Sequence, residues 1–271
     1  MREVFLNPDF ERSWQGRDPF EAAFGLSGES YRKVKSRHTF RIELNGRGYF
    51  VKLHRGIGWA EYLKNVFQFK APVTDAGQEY RALLHLKAHG VDTMTPAAYG
   101  CRGAIPPART SFLITEELTD CISLEDFCRN WKDDPPPFRV KRALIRKLGE
   151  MAGKMHRSGL NHRDCYICHF LLDPASLQEK RIKLHVIDLH RAQLRSRIRR
   201  RYRVKDLAGI FFSAMDLGLS RRDALRFIAA YTPRAGALDA KIWPEVLRTA
   251  VRLYRKEFGR KPDLPSGCSS Q

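Results

Sequence analysis

The segment Asn161-His162-Arg163-Asp164-Cys165-Tyr166-Ile167-Cys168-His169-Phe170 decides how this chain is read. Ahead of it, Val140, Leu144, Leu148, Met151 and Met155 recur at helical spacing, and Gly159 stops that helix. A long helix therefore delivers Asp164 to the start of a loop. Beyond it, His185-Val186-Ile187-Asp188-Leu189 reads as a short buried strand carrying a second carboxylate near its end. A histidine-arginine-aspartate string arises easily by chance, so its weight depends on its surroundings.

Toward the N-terminus the chain has strand character. Ser30 to Val34 reads as a strand. Thr39 to Leu44 and Tyr49 to Leu53 are β-prone runs flanking Asn45-Gly46-Arg47-Gly48, which predicts a hairpin. Gln78 to Leu86 places Ala82, Leu83 and Leu86 on one helical face, closed by Gly90. Ser111 to Thr115 is a short apolar strand leading into Glu116-Glu117-Leu118. Toward the C-terminus the pattern turns helical. Ser123 caps a short helix, Pro135-Pro136-Pro137 breaks the chain, and Ser220-Arg221-Arg222-Asp223 resembles a capping box. Residues 242–258 read as a helix that tolerates Pro244 in its first turn. The expectation is an α+β, two-lobed protein: a small strand-rich N-lobe at residues 1–118, a larger helical C-lobe at 119–262, a frayed tail at 263–271, and a cleft between the lobes.

Phosphoryl transfer needs positive charge on the phosphates, carboxylates for a metal, and a carboxylate near the attacking hydroxyl. The parts occur in the order a kinase-like fold uses them. Lys52 follows the apolar run Tyr49-Phe50-Val51, and Glu79 lies on the next helical segment, where it can pair with that lysine. Glu61 is the other candidate partner. Asp164 and Asp188 then fit a catalytic loop and a metal site. Alone, Lys52 would read as a surface lysine and Glu79 as a solvated helix carboxylate.

The strings His162 to Phe170, Val186-Ile187-Asp188-Leu189-His190-Arg191, and Gly46 to Lys52 followed by His54-Arg55-Gly56 resemble the lipopolysaccharide core heptose(I) kinases of the protein-kinase-like superfamily. The likeness extends through Lys205-Asp206-Leu207-Ala208 and covers nearly the whole chain except the tail. The resemblance implies an ATP- and Mg²⁺-dependent sugar kinase, a transferase that phosphorylates the first heptose of the lipopolysaccharide inner core at the cytoplasmic face of the inner membrane. It also implies roles. Asp164 accepts or orients the acceptor hydroxyl, Asp188 ligates Mg²⁺, and Lys52, positioned by Glu79, neutralises phosphate charge. Glu116 to Leu118 receive the adenine, and Asp206 braces the loop of His162 and Arg163 from beneath.

The chain departs from protein kinases at three points. His169 stands five residues after Asp164, where an asparagine binds a second metal; Mg²⁺ prefers oxygen ligands to imidazole. No G-x-G-x-x-G precedes Lys52, which puts the phosphate-covering turn near Ser36 to Thr39. Leu189-His190 replaces phenylalanine-glycine, and the short span from Asp188 to Asp206 leaves no room for a long regulatory loop.

Lys and Arg total 49 against 30 Asp and Glu, a net +19, so the chain attracts anionic partners without naming one. The run Arg195 to Arg203 is its densest basic stretch. Arg199, Arg200 and Arg201 are candidate grips on an anionic acceptor, a solvated loop being the bland alternative. Residues 57–70 mix aromatic and basic residues, which suits a core-packed helix, a membrane-surface helix or a segment that binds a lipid tail. No apolar run suits a secretory signal or a membrane span, so a cytosolic protein with six mostly reduced cysteines is expected. Cys165-Tyr166-Ile167-Cys168-His169 fits the haem-attachment pattern, and with His162 a tight zinc site, but two small packing residues explain the cysteines more simply. The rival functions are a kinase for another sugar or small hydroxyl acceptor, an inactive kinase-fold binding module, and an RNA binder, for which no base-stacking module is present. An acidic protein partner, with acyl carrier protein as a family-level option, is a further expectation.

Overall fold

The structure is a computed structural model. It describes residues 2–34, 36–67, 75–179, 181–232 and 241–263; the side chains of residues 34, 60, 61 and 64–66 are outside that description. Glu61 as a lysine partner, residues 68–70 of the aromatic and basic segment, and all but the first residue of the tail fall outside the described residues.

The chain forms two compact units. The first comprises Met1–His85, Met94–Thr119 and Leu189–Arg191; the second comprises Leu86–Thr93, Asp120–Asp188 and Ala192–Gln271.

In the first unit β1 (Arg2–Leu6), β2 (Glu29–Val34), β3 (Arg37–Leu44), β4 (Arg47–His54), β5 (Pro96–Arg102) and β6 (Thr110–Glu116) form an antiparallel sheet in the order β1-β5-β6-β4-β3-β2. Asn45 (φ 52°) and Gly46 (φ 73°) both adopt the left-handed conformation that a two-residue hairpin demands, so Leu44 pairs with Arg47 and the register runs on to Arg37 opposite His54. That register sends Phe40, Tyr49, Val51, Phe112 and Ile114 into one core. Helices α1 (Pro8–Ser13) and α2 (Pro19–Phe24) add Phe10 and Phe20, with Trp14 just past α1. Both begin with a capping side chain, Asn7 or Asp18, followed by proline in the first turn. Helix α3 (Gly58–Phe67) follows β4, and α4 (Gly77–Ala88) precedes β5.

The second unit is mainly helical. It contains β7 (Ile122–Ser123), α5 (Leu124–Cys128), α6 (Phe138–Arg157), β8 (Leu160–Asn161), β9 (Phe170–Leu172), β10 (Leu184–Val186), β11 (Gln193–Leu194), α7 (Arg200–Ser213), α8 (Arg221–Tyr231) and α9 (Trp243–Phe258). Helix α6 buries Leu144, Leu148, Met151 and Met155 of the stripe its spacing announces, with Val140 half-buried. It approaches α8 so closely that a Cβ on Gly149 would stand 2.7 Å from the Phe227 carbonyl. The capping box at Ser220 and Asp223 is formed. Strand β10 stops at Val186, earlier than its β-prone sequence suggests, because Asp188 two residues later turns to φ 59°.

Candidate active site

In the first unit, strand alternation turns Lys52 away from the core neighbours Val51 and Leu53 and toward α4. Its Nζ lies 2.7 Å from Glu79 Oε1. Glu79 is buried, with its lysine partner about one-fifth exposed. Such a pair fixes the ammonium in place at a desolvation cost that the contact must offset. Strand β6 ends at Glu116, whose N–H donates to the Thr95 carbonyl. Glu117 follows, its N–H bonded to Gly48 O and its carboxylate gripped by Arg41 Nε and Nη2 at 2.8 and 2.7 Å. The half-buried Leu118 completes the segment expected to receive the adenine.

In the second unit, helix α6 and β8 lead into the loop of Asp164. Asp206, buried on α7, accepts the His162 and Arg163 N–H groups at 2.7 and 2.8 Å. Arg163 sits at φ 76°, a conformation that costs a non-glycine residue roughly 1–2 kcal/mol. The double anchor on Asp206 supplies the compensation. His156 Nε2 lies 3.3 Å from the same carboxylate, while its Nδ1 faces the Tyr231 hydroxyl at 2.9 Å. Ser213 on α7 receives the Ile167 N–H, and a Cβ on Gly209 would crowd the Cys165 carbonyl, so α7 supports the loop along its length.

His162 is fully buried and donates Nε2–H to the Ile187 carbonyl at 2.9 Å, tying the loop to the segment that carries Asp188. Burial holds its pKa below the usual histidine range, so the ring is neutral. It stacks on His169 with ring centroids 5.7 Å apart. His169 donates Nδ1–H to the Asp164 carbonyl at 2.8 Å and presents Nε2 to Asp188 Oδ2 at 3.5 Å. Burial opposes its charged form, but hydrogen bonds to Cys168 and Asp164 and the Asp188 carboxylate prevail, raising its pKa to about 9. Asp164, His169 and Asp188 are thus brought together. The Cys165 thiol is buried and pushed up by desolvation, which keeps it protonated and unreactive.

The three arginines sit apart in role. Arg199 is exposed at the N-cap position of α7. Arg200 is engaged by Glu245 and the Lys241 carbonyl on the α9 side, at 2.8 and 2.9 Å. Arg201 lies over the Tyr202 ring and donates to its hydroxyl. The Arg41 grip on Glu117 and the His156–Tyr231 contact join residues remote in the chain and carry no local sequence signal. Sequence reading passed over Asp18-Pro19, an available helix-start signal.

A strand lysine locked to a helix carboxylate, with an aspartate loop braced on a buried helix carboxylate, is the frame of a kinase-like phosphotransferase. The match with known proteins narrows the class: residues 21–231 fit the model of the lipopolysaccharide kinase (Kdo/WaaP) family, and the chain belongs to that family. It is 50% identical over 269 residues to the lipopolysaccharide core heptose(I) kinase WaaP of Pseudomonas aeruginosa, covering 95% of this chain and 97% of that relative. With WaaP of Escherichia coli K12 it shares 48% over 229 residues, 84% of this chain and 86% of the relative. A solved structure of WaaP in complex with acyl carrier protein superposes with a TM-score of 0.79 at 46% identity, covering 93% of this chain and 99% of that one.

Proposed function

We propose that the chain transfers the terminal phosphoryl group of ATP to the first heptose of the lipopolysaccharide inner core. The observation that carries this reading is the likeness to heptose(I) kinases at about half identity along almost the whole chain. The Asp164, His169 and Asp188 cluster supplies the chemistry. Asp164 is the base or hydroxyl-orienting group for the sugar oxygen. Lys52, held by Glu79, neutralises phosphate charge, and the backbone of Glu116 to Leu118 receives the adenine. Asp206 supports the loop through His162 and Arg163.

The donor set suits Mg²⁺, since Asp188 offers hard carboxylate oxygens held in place by a left-handed backbone turn. Bound there, the ion would draw charge from the phosphate oxygens. His169 stands at the second-metal position, its ring orientation fixed by the Asp164 carbonyl, and only its neutral form, with Nε2 free of a proton, would hold a metal ion there. The exposed Arg199 and Arg201 are the grips for the anionic acceptor, with Arg200 partly committed to α9.

The acceptor is anchored in a membrane, and no described helix is long and apolar enough to cross one. We place the chain at the cytoplasmic face of the inner membrane, in peripheral contact with anionic lipid. Trp59, Leu63 and Phe67 project from successive turns of α3, with Trp59 59% and Phe67 77% exposed, as an interfacial helix requires. An acyl carrier protein is the acidic partner we propose, on the strength of the WaaP complex bearing that name. The test offers ATP, Mg²⁺ and core lipopolysaccharide lacking the heptose phosphate, beside a core truncated before heptose. Labelling of the first alone supports the reading; equal labelling of the truncated core points to another sugar.

A further inference from the structure

The Lys52–Glu79 pair depends on where α4 begins, and that start is pinned to the sheet by side chains outside the pair. Asp75, Ala76 and Gly77 form the turn into α4. Asp75, 7% exposed at its side chain, receives Arg109 Nη1 on Oδ2 at 2.9 Å and the Gly77 N–H on Oδ1 at 2.9 Å. The Ala76 N–H donates to Ser111 Oγ, fully buried on β6, at 2.9 Å. A Cβ on Gly77 would come within 2.7 Å of the Tyr99 hydroxyl, so the turn lies tight against β5. One turn on, the Tyr80 ring stacks on Tyr99 at 4.1 Å and 8°. Glu79 sits between these contacts.

We infer that Arg109, Asp75 and Ser111 form a clamp on the first turn of α4 that sets Glu79 against Lys52, making them positioning residues for phosphoryl transfer. The inference rests on the role proposed above for Glu79 and Lys52. Free of the clamp, the first turn of α4 loses its ties to Arg109 and Ser111, and the carboxylate can drift from the ammonium. Misplacement on the scale of an ångström can cost a reaction about 100-fold.

The test is a double-mutant cycle on the full chain, measuring kcat and KM for ATP with core lipopolysaccharide as acceptor. Arg109→Ala is expected to lower kcat/KM for ATP by about 10- to 100-fold. Glu79→Gln should lower it at least as much, and the double variant should be no worse than Glu79→Gln alone. Arg109→Lys, which keeps the charge, should recover part of the loss. Ser111→Ala serves as a milder variant if Arg109→Ala folds poorly, with the same non-additivity expected. Full activity of both clamp variants while Glu79→Gln is impaired overturns the clamp alone. So does a clamp loss that multiplies with Glu79→Gln. An unimpaired Glu79→Gln enzyme overturns the reading of the pair, and the clamp with it.

Discussion

The carboxylate of Asp206 holds the loop at His162 by its backbone, accepting that amide at 2.7 Å. Its other oxygen takes the amide of Arg163, the residue in the left-handed conformation. One buried side chain therefore satisfies two donors and fixes the backbone immediately before Asp164. Asp206→Ala orphans both, and each buried unsatisfied donor costs about 1–3 kcal/mol. We expect the denaturant midpoint to fall by an amount equivalent to about 3 kcal/mol, with phosphate transfer lost. Asp206→Asn, which retains one acceptor oxygen, should fall between.

Gly149 offers a stability test with an unusual sign. In an exposed helix, glycine to alanine stabilises by about 0.8–1 kcal/mol. Here the new methyl would meet the Phe227 carbonyl at 2.7 Å and the Ala230 Cβ at 3.0 Å. Backbone cannot give way as a flexible side chain does. Gly149→Ala should instead destabilise by about 1–3 kcal/mol, read from thermal melts.

His54 ends β4 buried, and its Nδ1 has no hydrogen-bond partner among the described residues. Burial, helped by Arg37 and Lys52 and opposed by Asp75, pushes its pKa down to about 3. An unfolded histidine titrates near about 6.5. Above that pH neither state binds the proton, and the folded state carries no penalty. As pH falls below it, the unfolded chain gains a proton that the folded chain refuses. Stability should then drop by about 1.4 kcal/mol per pH unit until pH approaches about 3. His54→Asn should flatten the profile between those limits relative to wild type, measured by urea unfolding as a function of pH.

Arg199 and Arg201 face solvent, whereas Arg200 also braces α9 through Glu245. Arg199→Gln with Arg201→Gln should raise KM for the lipopolysaccharide acceptor by about 10-fold, each exposed charge contributing under about 1 kcal/mol. KM for ATP should stay as in wild type. Unchanged acceptor KM would return these arginines to a solvated surface.

The elements that locate the chemistry were readable because their signals are local. The Asn45-Gly46 turn, the α6 stripe and the Ser220–Asp223 box each act within a few residues. Lys52 and Glu79 were readable as a pair through the resemblance and the order of parts, and they lie 2.7 Å apart. What escaped depends on tertiary pairing. Nothing near Glu117 in the chain announces Arg41, and nothing near Asp75 announces Arg109. β1 pairs with β5 across more than ninety residues, and its sequence Arg2-Glu3-Val4-Phe5-Leu6 carries little alternation of its own. The short β10 shows the opposite case, since β-prone residues at Ile187 and Leu189 yield to the left-handed turn at Asp188.

Asp164 remains the residue on which the proposed chemistry turns. Its backbone carbonyl is engaged by His169 and its loop by Asp206, so truncating its half-buried side chain should leave the fold intact. The most direct measurement is transfer of labelled phosphate from ATP to heptose-containing core lipopolysaccharide, wild type beside Asp164→Ala, with thermal melts of both. We expect matching melts and a loss of transfer of at least about 100-fold in the variant, the contribution of a positioned general base. Transfer by Asp164→Ala at the wild-type rate would contradict its assignment as the catalytic base.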